Sequence, residues 1–295
     1  MKKIIISLFA LIVCISINAQ TVKLYKGKLL VAEYPADQVD NIEFAKNSTK
    51  ISFSASIGND NITRTSLTDK YNIVWGANEN IDIYNTQNET HATFTSTEAS
   101  KGQTIATFTG SNITSDLGNK YYALYPSGAK FTNSIHQMSA TVPVIQPESI
   151  NQDYLFMTAC SYDQTLKFNN VTALLKIEIK SSEFTSLGTI RVESNDGEKI
   201  AGDFTATIND NGTSSITSAT SSSVAIRKTA GGDGTTRLKP GIYYMAILPS
   251  ILKKGITLYF EDTDNTKIYQ RVSTKVLEFK SSKIYDLGTY DVDKL

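Results

Sequence analysis

From residue 51 onward, apolar and polar positions alternate in short runs separated by turn residues. In Lys176-Ile177-Glu178-Ile179-Lys180 the two isoleucines fall on one face and the three charges on the other. A period of two with one apolar face marks an antiparallel sheet that is wet on one side. The same reading applies to Ile51–Ala55, Ile81–Tyr84, His91–Thr95, Thr104–Thr109, Tyr121–Tyr125, Thr189–Glu193, Phe204–Ile208, Val224–Ile226, Gly241–Leu248, Ile256–Phe260, Lys267–Val272 and Ile284–Val292. Asp153–Cys160 is mostly apolar and is expected to be buried. Thr141–Gln146 is broken by Pro143, which confines it to a sheet edge or an extended crossing segment. Between the runs lie turn clusters such as Gly58–Asn61, Asn209–Gly212 and Gly231–Gly234. No stretch reads as an amphipathic helix of ~10 residues or more, although Ser181–Leu187 has room for one helical turn. Strands spaced by roughly ten residues with turn chemistry between them predict an all-β protein of sandwich type.

The stretch Thr63–Tyr84 sets the grammar for the rest. It holds Trp75, the single tryptophan, then the turn Gly76-Ala77-Asn78-Glu79-Asn80, then the alternating Ile81-Asp82-Ile83-Tyr84. Trp75 is expected to be a buried anchor. Ahead of this lies a small unit, residues 20–48. Val22–Tyr25 and Leu29–Tyr34 flank Lys26-Gly27-Lys28 as a hairpin, and Val39–Phe44 follows. Such a unit is too small for a core of its own.

Residues 1–19 read as a signal peptide. Lys2 and Lys3 precede the apolar run Ile4–Ile17, and Ala19 supplies a small residue at the expected cleavage point. The run is shorter than the ~20 apolar residues that span a membrane. Cys14 is a lipidation candidate, but Val13 is large for the position before a lipidated cysteine, so Cys14 is expected to leave with the leader. Cys160 then remains alone, without a disulfide partner.

The chain has 295 residues, of which 40% are hydrophobic and 20% charged. That is the balance of a folded protein, long enough for two β domains of roughly 120 residues each. The division is placed at 49–162 and 163–295. Lys+Arg and Asp+Glu both total 29, which gives no net charge to draw the chain to nucleic acid.

No catalytic constellation emerges. His91 and His136 are the only histidines, and neither lies near other ligand types in sequence. They are expected on an exposed strand and in a loop. Glu261-Asp262-Thr263-Asp264-Asn265 resembles the start of a calcium loop but lacks its glycine and its late glutamate, and is expected as a solvated turn. Gly231-Gly232-Asp233-Gly234 has no following helix and no Gly-Lys-Ser/Thr to hold phosphate. There is no Gly-x-Ser-x-Gly elbow. Tyr121 and Tyr125 share a strand face with Ala123, opposite Tyr122 and Leu124, and one face is expected in the core. The expectation is a non-enzymatic protein with no catalytic residues, no cofactor and no metal site. Arg64, between threonines, is a candidate for trypsin-like cleavage that would free the Ile51–Ala55 strand and leave a groove for a partner's strand.

Several landmarks, in this order, resemble the fimbrillin-like family of Bacteroidales, the FimA/Mfa-type pilus subunits and their relatives. They are Ser52-Phe53-Ser54-Ala55, Thr63-Arg64-Thr65, Val74-Trp75, Ile81-Asp82-Ile83-Tyr84 and Ala106-Thr107-Phe108-Thr109-Gly110. Tyr121–Pro126, Gln146 after Val142-Pro143, Phe156-Met157-Thr158-Ala159 and Phe168–Ile179 continue the series. The resemblance implies two tandem transthyretin-like antiparallel β-sandwich domains behind the N-terminal hairpin module. It also implies export to the cell surface, outer membrane or fimbrium. The role implied is that of a pilus subunit or adhesin assembled by strand exchange with other subunits or copies of itself, after cleavage by an arginine-specific protease. No obvious extra strand follows Ile284–Val292, which leaves a tip or accessory position open beside a stalk one. The alternative is a carbohydrate- or matrix-binding module that does not polymerise. The sequence names no receptor, and a membrane partner enters only through a lipid on Cys14.

Overall fold

The computed structural model describes residues 21–26, 29–35, 51–57, 66–67, 73–87, 89–113, 119–127, 129–132, 136–149, 152–180, 187–228, 236–263 and 268–291. The leader with Cys14, the Val39–Phe44 run, Arg64 and the Gly231–Gly234 turn lie outside them. The chain divides into two compact units, Met1–Ser48 and Thr49–Leu295.

In the first unit β1 (Thr21–Lys26) pairs antiparallel with β2 (Leu29–Pro35), from Thr21↔Pro35 to Lys26↔Leu29. An exposed ion pair, Lys23 Nζ to Glu33 Oε1 at 3.3 Å, bridges the two strands. Pairs of this kind contribute at most about 1 kcal/mol.

The second unit opens with β3 (Ile51–Ile57), β4 (Ser66–Leu67), β5 (Ile73–Val74), β6 (Asn80–Asn85), β7 (Thr90–Ser96), β8 (Ile105–Gly110) and β9 (Tyr121–Tyr125). Then come β10 (Lys130–Phe131), β11 (Gln137–Val142), β12 (Ile145–Gln146), β13 (Met157–Ser161) and β14 (Thr165–Asn170). Seven of these close into a barrel in the order β13-β14-β3-β8-β7-β6-β9, with β9 returning to β13. The alternation read from sequence fills it. Phe53, Ala55, Ile81, Ile83, Phe94, Phe108 and Phe168 point inward and are fully buried. Each large side chain among them contributes about 1.5–3 kcal/mol by burial. One joint is not antiparallel, because β14 runs parallel to β3 from Thr165↔Ser54 to Phe168↔Ile57.

The remaining strands are β15 (Ala173–Lys180), β16 (Leu187–Ser194), β17 (Ala201–Ile208), β18 (Ser214–Ser221), β19 (Ser223–Arg227), β20 (Gly241–Ile247) and β21 (Ser250–Leu252). They are followed by β22 (Ile256–Asp262), β23 (Ile268–Ser273), β24 (Leu277–Phe279) and β25 (Ile284–Asp291). They form sheets β10-β11-β17-β18, β12-β19-β16-β22-β23, β20-β15-β25 and β21-β24 around a second core. Ile177 and Ile179 of β15 face that core, as the alternation requires. The architecture is all-β throughout the described residues, with no α-helix among them.

The two sets of strands exchange segments. β11 and β12, which the sequence pattern places in the first half, pair with β17 and β19 of the second. β14, just past residue 162, belongs to the barrel. The crossing segment at Pro143 ends in Gln146, whose side chain is 3% exposed. Its amide donates to the Ala246 carbonyl at 2.8 Å and accepts the Ala246 N–H at 2.9 Å. The amide thus supplies to β20 the hydrogen bonds that a neighbouring strand would give.

β9 is buried on both faces, where the sequence pattern predicts one. Tyr121, Ala123 and Tyr125 line the barrel, whereas Tyr122 and Leu124 belong to the second core. The reason is tertiary: the second set of strands packs on the outside of this barrel wall. The Asn209–Gly212 turn docks there too. Thr158 Oγ1 donates to the Gly212 carbonyl at 2.8 Å, and a Cβ on Gly212 would stand 2.9 Å from the Cys160 nitrogen. With φ of 80° as well, this position is one that glycine alone fills without strain.

Candidate functional site

β3 is an interior strand of the barrel, hydrogen-bonded on both sides. Its sequence, Ile51-Ser52-Phe53-Ser54-Ala55, alternates buried and exposed in step with the apolar pattern. It lies between β14 and β8, pairing with β8 from Ile51↔Gly110 to Ser56↔Ile105. The Phe53 ring meets Phe94 at 5.1 Å and Tyr121 at 5.0 Å, both edge to face. Such aromatic pairs contribute about 0.5–1.5 kcal/mol beyond their buried area. The Ser54 N–H donates to the Gln164 carbonyl at 2.8 Å, just before β14 begins.

Trp75 clamps this strand from inside. It is fully buried, as its place in the sequence predicts, and its indole N–H donates to the Ala55 carbonyl at 3.1 Å. Its ring stands edge to face with Phe108, Tyr125 and Phe168 at 5.1, 5.5 and 5.8 Å. Its own backbone is held at both ends, the N–H by the Gln103 carbonyl and the carbonyl by the Gly102 N–H, each at 2.8 Å. With β3 withdrawn, the slot between β14 and β8 would bare two strand edges over an aromatic floor. That is the acceptor geometry for an added strand.

Glu79 closes the turn after Trp75. Its N–H donates to Ser96 Oγ at 2.8 Å, and its carbonyl accepts the Ser96 N–H at 2.8 Å. Burial pushes its carboxyl from 4.5 up to about 7, against the opposing pull of the Gly76 N–H. Oε2 has no hydrogen-bond partner among the described residues. A Cβ on Gly76 would lie 2.5 Å from Glu79 Oε1. Nothing in the local sequence marks this carboxylate as buried; the one cue is a glycine three positions earlier that leaves it room.

A pH dependence follows. The folded-state value lies above the unfolded one, so the contribution of Glu79 is at its best below about pH 4.5. It is lost as pH rises through about 7, where the buried group must ionise. The shift corresponds to about 3 kcal/mol at most, and partial exposure screens that to about 1–2 kcal/mol. Glu79→Gln is expected to remove this loss. Urea unfolding of wild type and variant at pH 5 and pH 8 checks it, and equal pH slopes for the two would exclude the effect.

Other candidates fall elsewhere. Arg64, between β3 and β4 in sequence, and Cys14 lie outside the described residues. His91 is exposed on β7, and His136 is exposed just before β11. The Glu261–Asn265 stretch differs from the expected solvated turn at its start, because Glu261 and Asp262 end β22 and are buried. Glu261 Oε1 holds Arg191 Nη2 at 2.8 Å and Nε at 2.9 Å, a partner no local pattern reveals. Among the described residues, no three of His, Cys, Asp and Glu gather as metal ligands.

No protein-family model matches the sequence, and no curated protein matches it. Solved structures do. A candidate cell adhesion protein from Bacteroides uniformis is 15% identical with a TM-score of 0.52, covering 82% of this chain and 93% of that chain. A candidate cell adhesion protein from Bacteroides ovatus is 12% identical with a TM-score of 0.48, covering 81% and 92% respectively. The tip fimbrial protein Mfa3 from Porphyromonas gingivalis, C-terminally truncated, is 8% identical with a TM-score of 0.41, covering 80% and 93%. At this identity the first likeness establishes a shared fold. The chain has the fold of a Bacteroides cell adhesion candidate.

Proposed function

We propose that the chain is a non-enzymatic cell-surface protein of fimbrillin type, a pilus subunit or adhesin, in a stalk, tip or accessory position. On this reading it is exported by its 1–19 leader, which takes Cys14 with it, and reaches the outer membrane or fimbrium. Residues 20–48 form a hairpin lead-in, and two transthyretin-like domains follow in tandem. Assembly proceeds by strand exchange. Cleavage after Arg64 detaches β3, and a strand from another subunit or another copy fills the slot.

The observation that carries this reading is the setting of β3. It is the first strand of the barrel in chain order, its parallel partner β14 comes from more than a hundred residues later, and a replacement strand would meet the same Trp75 clamp. The fold shared with a Bacteroides cell adhesion candidate supports it.

The test uses the full chain treated with an arginine-specific protease. The expected result is a product beginning at Thr65 together with a ladder of oligomers on denaturing gels run without boiling. Arg64→Ala is expected to give neither. A Thr65 product that stays monomeric would overturn assembly by exchange, and laddering that survives Arg64→Ala would overturn the role of this arginine.

A further inference from the structure

We infer that the groove on the four-stranded sheet β10-β11-β17-β18 binds a neutral carbohydrate. The groove has a volume of about 560 Å³ and is lined by β10, β11, β17 and β18 together with the 3-10 turn Gln152–Tyr154. That lies within the roughly 300–1,000 Å³ of small-molecule sites.

The strand register builds the polar lining. Lys130↔Ser139, Ser139↔Thr205 and Thr205↔Ser218 form one continuous cross-strand row. Thr141↔Asp203 begins the next. The hydroxyl side chains in these rows are short, so they present oxygen without filling the space above the sheet. Two register shifts between β17 and β18, one from Ala201 to Phe204 and one from Thr205 to Ala206, fall beside Asp203 and Thr205. Irregularities of this kind bend a strand and often sit beside functional sites.

The donor and acceptor set suits a polyol. Thr141 Oγ1 donates to Asp203 Oδ1 at 2.6 Å, and Asp203 Oδ2 has no partner among the described residues. Lys130, exposed, lies in the same lining. An open carboxylate oxygen accepts from sugar hydroxyls, and an ammonium donates to them. Tyr154, half-buried, adds an aromatic face for the C–H side of a pyranose, and Phe156 and Phe204 meet edge to face at 5.5 Å in the same lining.

Charge and strand pairing select among ligands. Asp153 and Asp203 outnumber Lys130, which disfavours a phosphate or an acidic sugar. β17 is paired on both sides, by β11 and by β18, so an extended peptide finds no free strand edge along it. Recognition there falls to side-chain hydroxyls, the carboxylate and the ring.

The inference stands apart from strand exchange and is tested on the full, uncleaved chain. Native gels containing dextran, mannan, xylan or galactan are run beside gels containing polygalacturonate. Retardation by at least one neutral polysaccharide is expected, with none by polygalacturonate. Asp203→Asn and Tyr154→Ala are each expected to weaken retardation at least tenfold. Glu278→Gln, in a separate groove, is expected to leave it unchanged. Asp203 is exposed, so the Asn variant keeps the fold, and a thermal melt checks this. Retardation by none of the neutral polymers would overturn the inference. So would equal retardation by polygalacturonate, or retardation that Asp203→Asn leaves intact.

Discussion

Replacing Trp75 with alanine is expected to remove about 3–5 kcal/mol of stability, the range for truncating a large buried aromatic. The setting favours the upper part of it. Trp75 is fully buried and touches three aromatic rings, each from a different barrel strand. It also gives β3 a hydrogen bond that an aliphatic or phenyl side chain cannot supply, from the indole to the Ala55 carbonyl. Trp75→Phe separates the two contributions. It keeps most of the volume, loses the donor and leaves a small gap where the larger ring stood, so the cost falls to about 1–3 kcal/mol. Urea unfolding reads both, with a midpoint shift for the alanine variant of about 1–2 M. A shift within error for Trp75→Ala would show that the barrel interior does not depend on this anchor.

Gln146→Met is expected to cost about 2–4 kcal/mol although it preserves length and much of the volume. The amide meets both hydrogen-bonding groups of Ala246 in a buried setting. Without it one N–H and one C=O lose these partners where water does not reach, at about 1–3 kcal/mol each. The effect has an address. Hydrogen exchange at the Ala246 amide should accelerate in the variant far more than at Ile177 or Leu258, in strands that keep their ladders. Unchanged exchange at Ala246 would mean that another group had taken the place of the amide.

Much of the strand pattern was legible in the chain because a period of two is a local property. Ile177 and Ile179, Phe53 and Ala55, Ile81 and Ile83 alternate in sequence and face inward in space. Trp75 was legible for a similar reason, being a lone large residue between a short strand and a turn. What escaped was set by partners far along the chain. Ser214–Ser221 gives little hint of a strand, since Ile216 is its only large apolar residue. It is a strand because β17 supplies its ladder. The double burial of β9 could not be read because Tyr122 and Leu124 suit either a wet or a dry face; the second core decides it. Glu261 escaped for a related reason: a carboxylate reads as solvated unless its arginine is known, and Arg191 lies 70 residues away. Of the candidate site, the strand Ser52–Ala55 and its anchor were visible. The carbonyl that Trp75 grips and the burial of Glu79 were not, since both depend on side-chain direction.

The exchange of segments between barrel and second core has a mechanical consequence. The polypeptide leaves the barrel after β9, returns at β13, and leaves again between β14 and β15. Three covalent crossings therefore join the two bodies, where beads on a string would have one. Tension applied along the chain cannot extend a single linker and part them. It must first strip β11 and β12 from β17 and β19, or pull β13 and β14 out of the barrel wall. Under load the pair should yield as one body, in a single force event rather than two.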